Sequence, residues 1–241
     1  MRVLATTWRV LLQLAHDRRS LALAVALPAA LLWLFHGVLH GAPGSFDRVG
    51  PQMLGLFPFI VMFLLTSVAM VRERTSGTLE RLLTTPLHRG ELIAGYALAF
   101  GLAALVQVGV AATVAVHLLG LDVRTPWVVV LLAVVDAVLG TALGLLVSAF
   151  AVTEFQAVQF MPLVVVPQLL LCGLIAPRDD MAHVLTLVSD VLPLSYAVDA
   201  ATSASSMDGL GGDVARDLAL LGTCCVVALA LAALTLRRRT P

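Results

Sequence analysis

Six runs of mostly aliphatic residues, each about twenty long or longer, constrain this chain more than anything else in it. They cover about 21–39, 51–71, 91–119, 127–150, 157–175 and 218–236. About twenty apolar residues in a helix cross the hydrocarbon core of a bilayer. Lipid offers no partner to a backbone N–H or C=O, so a spanning segment must satisfy its own hydrogen bonds. Each run therefore predicts a transmembrane helix, and the fold class expected is an all-α integral membrane protein. Charged residues are 12% of the 241 positions, about half the share found in soluble domains. Pro28 predicts a mild kink in the first span. Gly41–Gly50 and Leu121–Pro126 read as short turns, and Thr153–Gln156 as a polar link before the fifth span.

Ahead of the first span, residues 2 to about 17 carry an apolar stripe at Leu4, Trp8, Leu11, Leu12 and Ala15, with Arg2, Arg9 and His16 off it. That pattern predicts an amphipathic helix lying in the membrane interface. A secretory signal peptide is the rival reading, since positive residues precede an apolar run. The run is long enough to span, however, and no clean small-residue cleavage site follows it.

Six spans leave both termini on one side, and the arginines say which. Cytoplasmic termini put Arg2, Arg9, Arg18, Arg19, Arg72, Arg74, Arg81, Arg89 and Arg237–Arg239 inside, leaving Arg48, Arg124, Arg178 and Arg216 outside. Loops that stay in the cytoplasm are enriched in Lys and Arg, so this orientation is expected. It places Trp33 and Trp127 near the outer interface.

The segment between spans two and three, Met70 to Leu92, is then cytoplasmic. Its arginines and its glutamates Glu73, Glu80 and Glu91 would each cost roughly 2.5–3.5 kcal/mol at the bilayer centre, so it lies in water or at the interface. Thr78 can cap a short helix with Leu79, Leu82 and Leu83 on one face and Glu80 and Arg81 on another. Pro86 ends that helix, and Thr85–Pro86 can start the next. An amphipathic helix held between two spans, with a greasy face no lipid covers, has the shape of a docking element.

Over fourteen contiguous positions, Glu73-Arg-Thr-Ser-Gly-Thr-Leu-Glu-Arg-Leu-Leu-Thr-Thr-Pro86 is similar to the cytoplasmic coupling-helix signature of type-2 (ABC-2) ABC export permeases. The daunorubicin and multidrug-resistance permeases are the familiar members. The resemblance implies one transmembrane domain over 1–241. Within it come an elbow helix (1–19), spans one and two (21–71), a coupling region (72–90) and spans three to five (91–176). An outer re-entrant segment (177–213) and the sixth span with its basic tail (214–241) complete it. It also implies that Glu73, Gly77, Thr78, Leu79, Glu80, Arg81, Leu82 and Leu83 couple the chain to an ATPase. The implied partners are two copies of an ABC ATPase subunit, a second permease copy or a sister permease, and membrane lipid, with no nucleic acid. ATP and Mg would bind the ATPase and not this chain. The composition agrees: all fifteen basic residues are Arg, and a Walker A loop needs a lysine. Lysine-free, Ala/Val/Leu-heavy usage suits a GC-rich bacterium, hence an inner-membrane location. The cargo implied is hydrophobic or amphipathic: a drug, an antibiotic or a lipid.

The same family has short re-entrant helices between its fifth and sixth spans. The order Gly173, Pro177, Pro193-Leu-Ser-Tyr196-Ala-Val-Asp199 resembles that pattern, with departures at Ala182 and at Ala201–Thr202. The residues alone predict a helix over Met181–Leu192 with one apolar face, followed by a Gly/Ser-rich stretch to Gly212.

Asp136 is the one acid well inside a span, and Asp136, Gly140, Gly144 and Ser148 fall on one helical face. Two readings stand side by side: Asp136 lines a path for cationic cargo, or it bonds to a neighbouring helix at the packing seam that the two glycines permit. In span five, Pro162 and Pro167 with Gln159 and Gln168 make either a flexible polar lining or tolerated kinks. His36 and His117 read as interfacial. Cys172, Cys224 and Cys225 lack a C-x-x-C spacing and read as small buried hydrophobes. The alternatives to an exporter subunit are an ion-coupled secondary transporter, which wants more buried titratable groups and internal repeats, and a lipid enzyme, for which no catalytic motif is present.

Overall fold

Every described run that is apolar enough to cross a bilayer is helical in the computed structural model, which describes residues 2–42, 44–78, 88–206 and 211–235. The helices are α1 (Arg2–His16), α2 (Arg18–Val38), α3 (Ser45–Thr75), α4 (Arg89–Thr113), α5 (Pro126–Ser148), α6 (Glu154–Leu171), α7 (His183–Ser189), α8 (Pro193–Ser206) and α9 (Gly212–Thr235). A π turn, Val114–Leu118, continues α4, and a 3-10 turn, Arg178–Asp180, precedes α7. No strand occurs among the described residues. Six helices there are long and apolar enough to span: α2, α3, α4 with its π turn, α5, α6 and α9.

Several boundaries differ from the sequence reading, each for a local reason. The turn expected over Gly41–Gly50 is shorter, because Gly44 takes a left-handed conformation (φ 75°) and α3 starts at Ser45 with Asp47 in its first turn, where a negative charge favours the helix dipole. The Thr153–Gln156 link is instead the start of α6. The Thr153 side chain accepts from the Gln156 N–H at 3.2 Å, and the Gln156 side chain accepts from the Val152 N–H at 2.8 Å, a capping arrangement. The helix expected over Met181–Leu192 breaks after Ser189, and Pro193 opens α8, which runs into the Ser-rich stretch as far as Ser206. Proline is suited to a first helical turn because it lacks the N–H that would be unpaired there. α7 and α8 meet at an 85° bend. The sixth span begins at Gly212 rather than near Leu218.

α3 and α5 make the most extensive helix contact and form the centre of the bundle. Lipid tails are as apolar as leucine, so helices associate in a membrane through close packing. Here small residues allow that closeness. A Cβ on Gly140 would meet the backbone of Phe59, and one on Gly144 would meet Thr66 and the Phe63 carbonyl. The Thr66 hydroxyl lies 3.3 Å from the Thr141 carbonyl across the same seam. α4 buries a stripe at Leu92, Tyr96, Phe100, Ala104, Val108 and Ala111, and α9 buries Leu221, Cys225, Ala228 and Ala232, both at helical spacing. α6 is peripheral, with Ala157, Val165 and Gln168 its buried residues.

Candidate functional site

The charged end of the bundle is built around the last turn of α3. Arg72, Glu73 and Arg74 are consecutive, so they point in three directions from the helix axis, and each holds a different neighbour. Arg72 donates from Nε and Nη2 to the two carboxylate oxygens of Glu154, both at 3.1 Å, tying α3 to the start of α6. It also lies 4.0 Å from Asp17. Asp17 accepts from the Ser20 N–H and hydroxyl at the head of α2, and the Ser20 bonds hold its carboxyl below the usual range.

Glu73 faces α1. Arg9 Nη1 and Gln13 Nε2 donate to it at 3.2 and 2.9 Å. The other arm of Arg9 donates to the Tyr96 hydroxyl of α4 at 2.7 Å. Arg74 donates to the Ser148 and Ala149 carbonyls, capping the C-terminus of α5, where a cation meets the negative end of the helix dipole. Five helices, α1, α2, α4, α5 and α6, are thus fastened to α3 or to one another at this end.

α1 supports the arrangement with its own two faces. Leu4, Trp8 and Leu12 of the predicted stripe are exposed, Trp8 at 65%. The opposite face buries Thr6, Thr7 and Val10. The Thr7 hydroxyl reaches the Gly95 carbonyl at 3.2 Å, and a Cβ on Gly95 would overlap Thr6. Arg9, which the sequence placed merely off the stripe, is part of that packed face.

Past Thr75, Ser76 caps α3 and Gly77 adopts φ 72°, a left-handed exit that glycine takes without strain. The Thr78 hydroxyl sits 2.9 Å from that of Ser76. Leu79, Glu80, Arg81, Leu82 and Leu83, with Thr85 and Pro86, lie outside the described residues. His88 stands at the N-cap of α4, and its N–H donates to Glu91 at 2.9 Å. Of the residues expected to couple, Glu73, Gly77 and Thr78 are described, and Glu73 is spent on α1.

The middle of the bundle holds Asp136. It is buried at the α3–α5 seam, its Oδ2 presses on Gly55, and its Oδ1 has no hydrogen-bond partner. Gly140 and Gly144 lie on the same seam, so the three share one surface as the spacing predicted. Gln159 and Gln168 do not. Nine residues turn a helix by about two and a half turns, and Gln159 is exposed while Gln168 is buried and bonds back to Val164. Within this chain the two glutamines therefore stand on different faces of α6.

At the opposite end, the loop after α6 folds over the bent α7–α8 pair. Gly173 (φ 89°) turns the chain, and Arg178 returns to form ion pairs with Asp190 after α7 and, at 2.6 Å, with Asp199 on α8. The Tyr196 hydroxyl donates to the Asp190 carbonyl at 2.5 Å. The Ser189 hydroxyl donates to the Leu171 carbonyl at 2.7 Å and meets Ser195 at 2.9 Å. Pro177 precedes the 3-10 turn and Pro193 starts α8. α8 itself is deeply packed through Leu194, Ala197, Ala200 and Ala204. The Thr202 hydroxyl lies 2.7 Å from the side-chain amide of Gln52 on α3. A cleft of about 600 Å³ remains between this loop, α8 and the start of α3. The sequence flagged Pro177, Pro193, Tyr196 and Asp199 but not Arg178, whose partners lie 12 and 21 positions away.

With this geometry in place, comparison with known proteins decides the family. Residues 1–205 match the ABC-2 type transporter family. The chain belongs to the ABC-2 type transporter family. Among curated relatives, ABC transporter G family member 20 of Dictyostelium discoideum is 28% identical over 165 residues, 67% of this chain and 23% of that protein. The linearmycin resistance permease protein LnrN of Bacillus subtilis is 26% identical over 178 residues, 73% of this chain and 44% of LnrN. The probable multidrug ABC transporter permease YbhS of Escherichia coli is 27% identical over 150 residues, 61% of this chain and 40% of YbhS. The match therefore spans less than half the length of each of these relatives. The all-helical, six-span architecture fits an ABC-2 membrane domain.

Proposed function

We propose that this chain is the transmembrane subunit of an ATP-driven exporter that moves a hydrophobic or amphipathic compound out of the cell. The energy comes from two separate ATPase subunits that bind Mg and ATP. A second copy or a sister permease completes the path, since six helices enclose little space. The membrane is a bacterial inner membrane with both termini of the chain cytoplasmic. The printed names of LnrN and YbhS, a linearmycin resistance permease and a probable multidrug permease, support an antibiotic or drug as cargo.

The observation that carries this reading is the cluster at Arg72, Glu73 and Arg74. An element docked on the next residues, 79–83, pulls on the end of α3. The three side chains pass that displacement to α1, α5 and α6 at once. Closure of the ATPases then becomes a rigid-body movement of spans rather than a local loop shift.

The test is co-purification with the cognate ATPase. Glu80→Arg with Leu82→Asp is expected to leave the chain inserted and abolish the pairing. Retention of the ATPase by this double variant sinks the proposal. Stimulation of ATP hydrolysis by candidate compounds in the reconstituted complex then identifies the cargo.

A further inference from the structure

The first span gives the bundle only one of its sides. α2 buries Ala24, Pro28, Ala29 and Leu32, while Ala22, Leu23, Ala26, Leu27 and Ala30 are exposed. Residues four apart share a helix face, so the exposed positions form two adjacent strips. One runs Arg18, Ala22, Ala26 and Ala30, and the other runs Arg19, Leu23 and Leu27. The alanines are low and the leucines stand beside them, which leaves a shallow apolar furrow with an arginine at the head of each strip.

Those two arginines are not used by the charged cluster at the end of α3. Both are exposed, and neither has a hydrogen bond or ion pair among the described residues. The neighbouring carboxylates are already engaged. Asp17 accepts from the Ser20 N–H and hydroxyl and lies 4.0 Å from Arg72, Glu73 holds Arg9 and Gln13, and Glu154 holds Arg72. The positive end of the α2 dipole points the same way as the two guanidinium groups. We propose that this face of α2 binds an anionic phospholipid, with the headgroup phosphate on Arg18 and Arg19 and an acyl chain along the strips beneath them. A guanidinium is a planar fork of donors that fits phosphate oxygens. A zwitterionic headgroup brings its own cation next to the phosphate, whereas an anionic one leaves its charge for the arginines, so net charge is what they select. One molecule with a charged head and an apolar tail answers both the arginine pair and the uncovered furrow. The inference needs the membrane-spanning architecture and does not depend on the exporter reading.

The test is fluorescence quenching by brominated lipid in the full chain, reconstituted without an ATPase. Trp8, Trp33 and Trp127 are replaced by phenylalanine, and Leu23→Trp places a single reporter one turn below Arg19. Leu27→Trp is a second reporter on the same strip, and both positions are exposed, so neither substitution disturbs packing. The bilayers are equal mixtures of phosphatidylglycerol and phosphatidylcholine, with the bromines on one lipid or on the other. Brominated phosphatidylglycerol is expected to be preferred at the reporter several-fold, and less so at high salt. Arg18→Gln with Arg19→Gln is expected to abolish that preference. A reporter at Leu98, exposed on α4, is expected to show no preference that depends on these arginines. Equal quenching by the two lipids, or a preference that survives the double substitution, overturns the proposal. Weak quenching by both lipids assigns the face to a second copy of the chain and overturns it as well.

Discussion

Arg9 and Glu73 are 64 positions apart in the chain and 3.2 Å apart in the folded protein. The first belongs to α1 and the second to the last turn of α3, the longest of the helices described. Glu73 keeps 11% of its side chain exposed and Arg9 28%, so the pair sits inside a packed junction with Gln13 and Tyr96.

Replacing Glu73 by Gln is expected to destabilise the chain by about 1–3 kcal/mol, the range for removing a charged partner from a buried donor. Arg9→Gln should cost a similar amount. Because the two residues share one contact, the double variant should cost less than the sum. Thermal unfolding of the four proteins in detergent checks this. In the proposed complex with an ATPase, the single variants should also weaken compound-stimulated ATP hydrolysis.

The neighbouring arginines should differ from one another. Arg72 and Glu154 are 60% and 43% exposed at the side chain, so Arg72→Gln is expected to change stability by about 0–1 kcal/mol and less at high salt. Arg74 satisfies carbonyls at the end of α5, so Arg74→Gln is expected to cost about 1–3 kcal/mol. Comparing the two variants at low and high salt separates a surface pair from a helix cap.

At the α3–α5 seam, Gly140→Ala places a methyl against the Phe59 backbone. It is expected to destabilise by about 1–3 kcal/mol, as overpacking does. Gly222 on α9 has no neighbouring atom where a Cβ would go. Gly222→Ala should therefore be neutral, or stabilising by up to about 1 kcal/mol through helix propensity. Unfolding midpoints of the two variants give the contrast.

Asp136→Asn keeps the side-chain shape and removes the ionisable group from a site where Oδ1 has no partner. Its thermal stability is expected to equal or exceed that of the parent, since an unpaired buried carboxylate is costly. Transport then separates the two roles considered for Asp136. A role at the seam predicts unchanged export of all cargo, whereas a role on a cation path predicts loss of cationic compounds and retention of neutral ones.

Much of the site was readable one segment at a time. Thr153 and Gln156 have the spacing of a helix start, and reading them so puts the beginning of α6 where it lies. Gly77 after a charged helix end is a stop signal, and Pro193 is a start signal. Arg178 gave no such sign. Its meaning depends on Asp190 and Asp199, and no short-range rule connects an arginine to carboxylates across a bend. The pairing of Arg9 with Glu73 was hidden for the same reason, although each residue was noted by itself.

The order of residues alone determined that this chain crosses a membrane six times, because lipid forces an apolar run to close its own hydrogen bonds and the helix does so within one segment. It also determined where the charges must leave the bilayer. Only the tertiary structure decided which surfaces meet. A soluble helix shows its buried face by polarity, but spans such as α5 are apolar all round, so no pattern in them names Phe59 as the neighbour of Gly140 or Gly55 as the neighbour of Asp136. That choice is made by how closely backbones can approach, and it exists only once the helices are together.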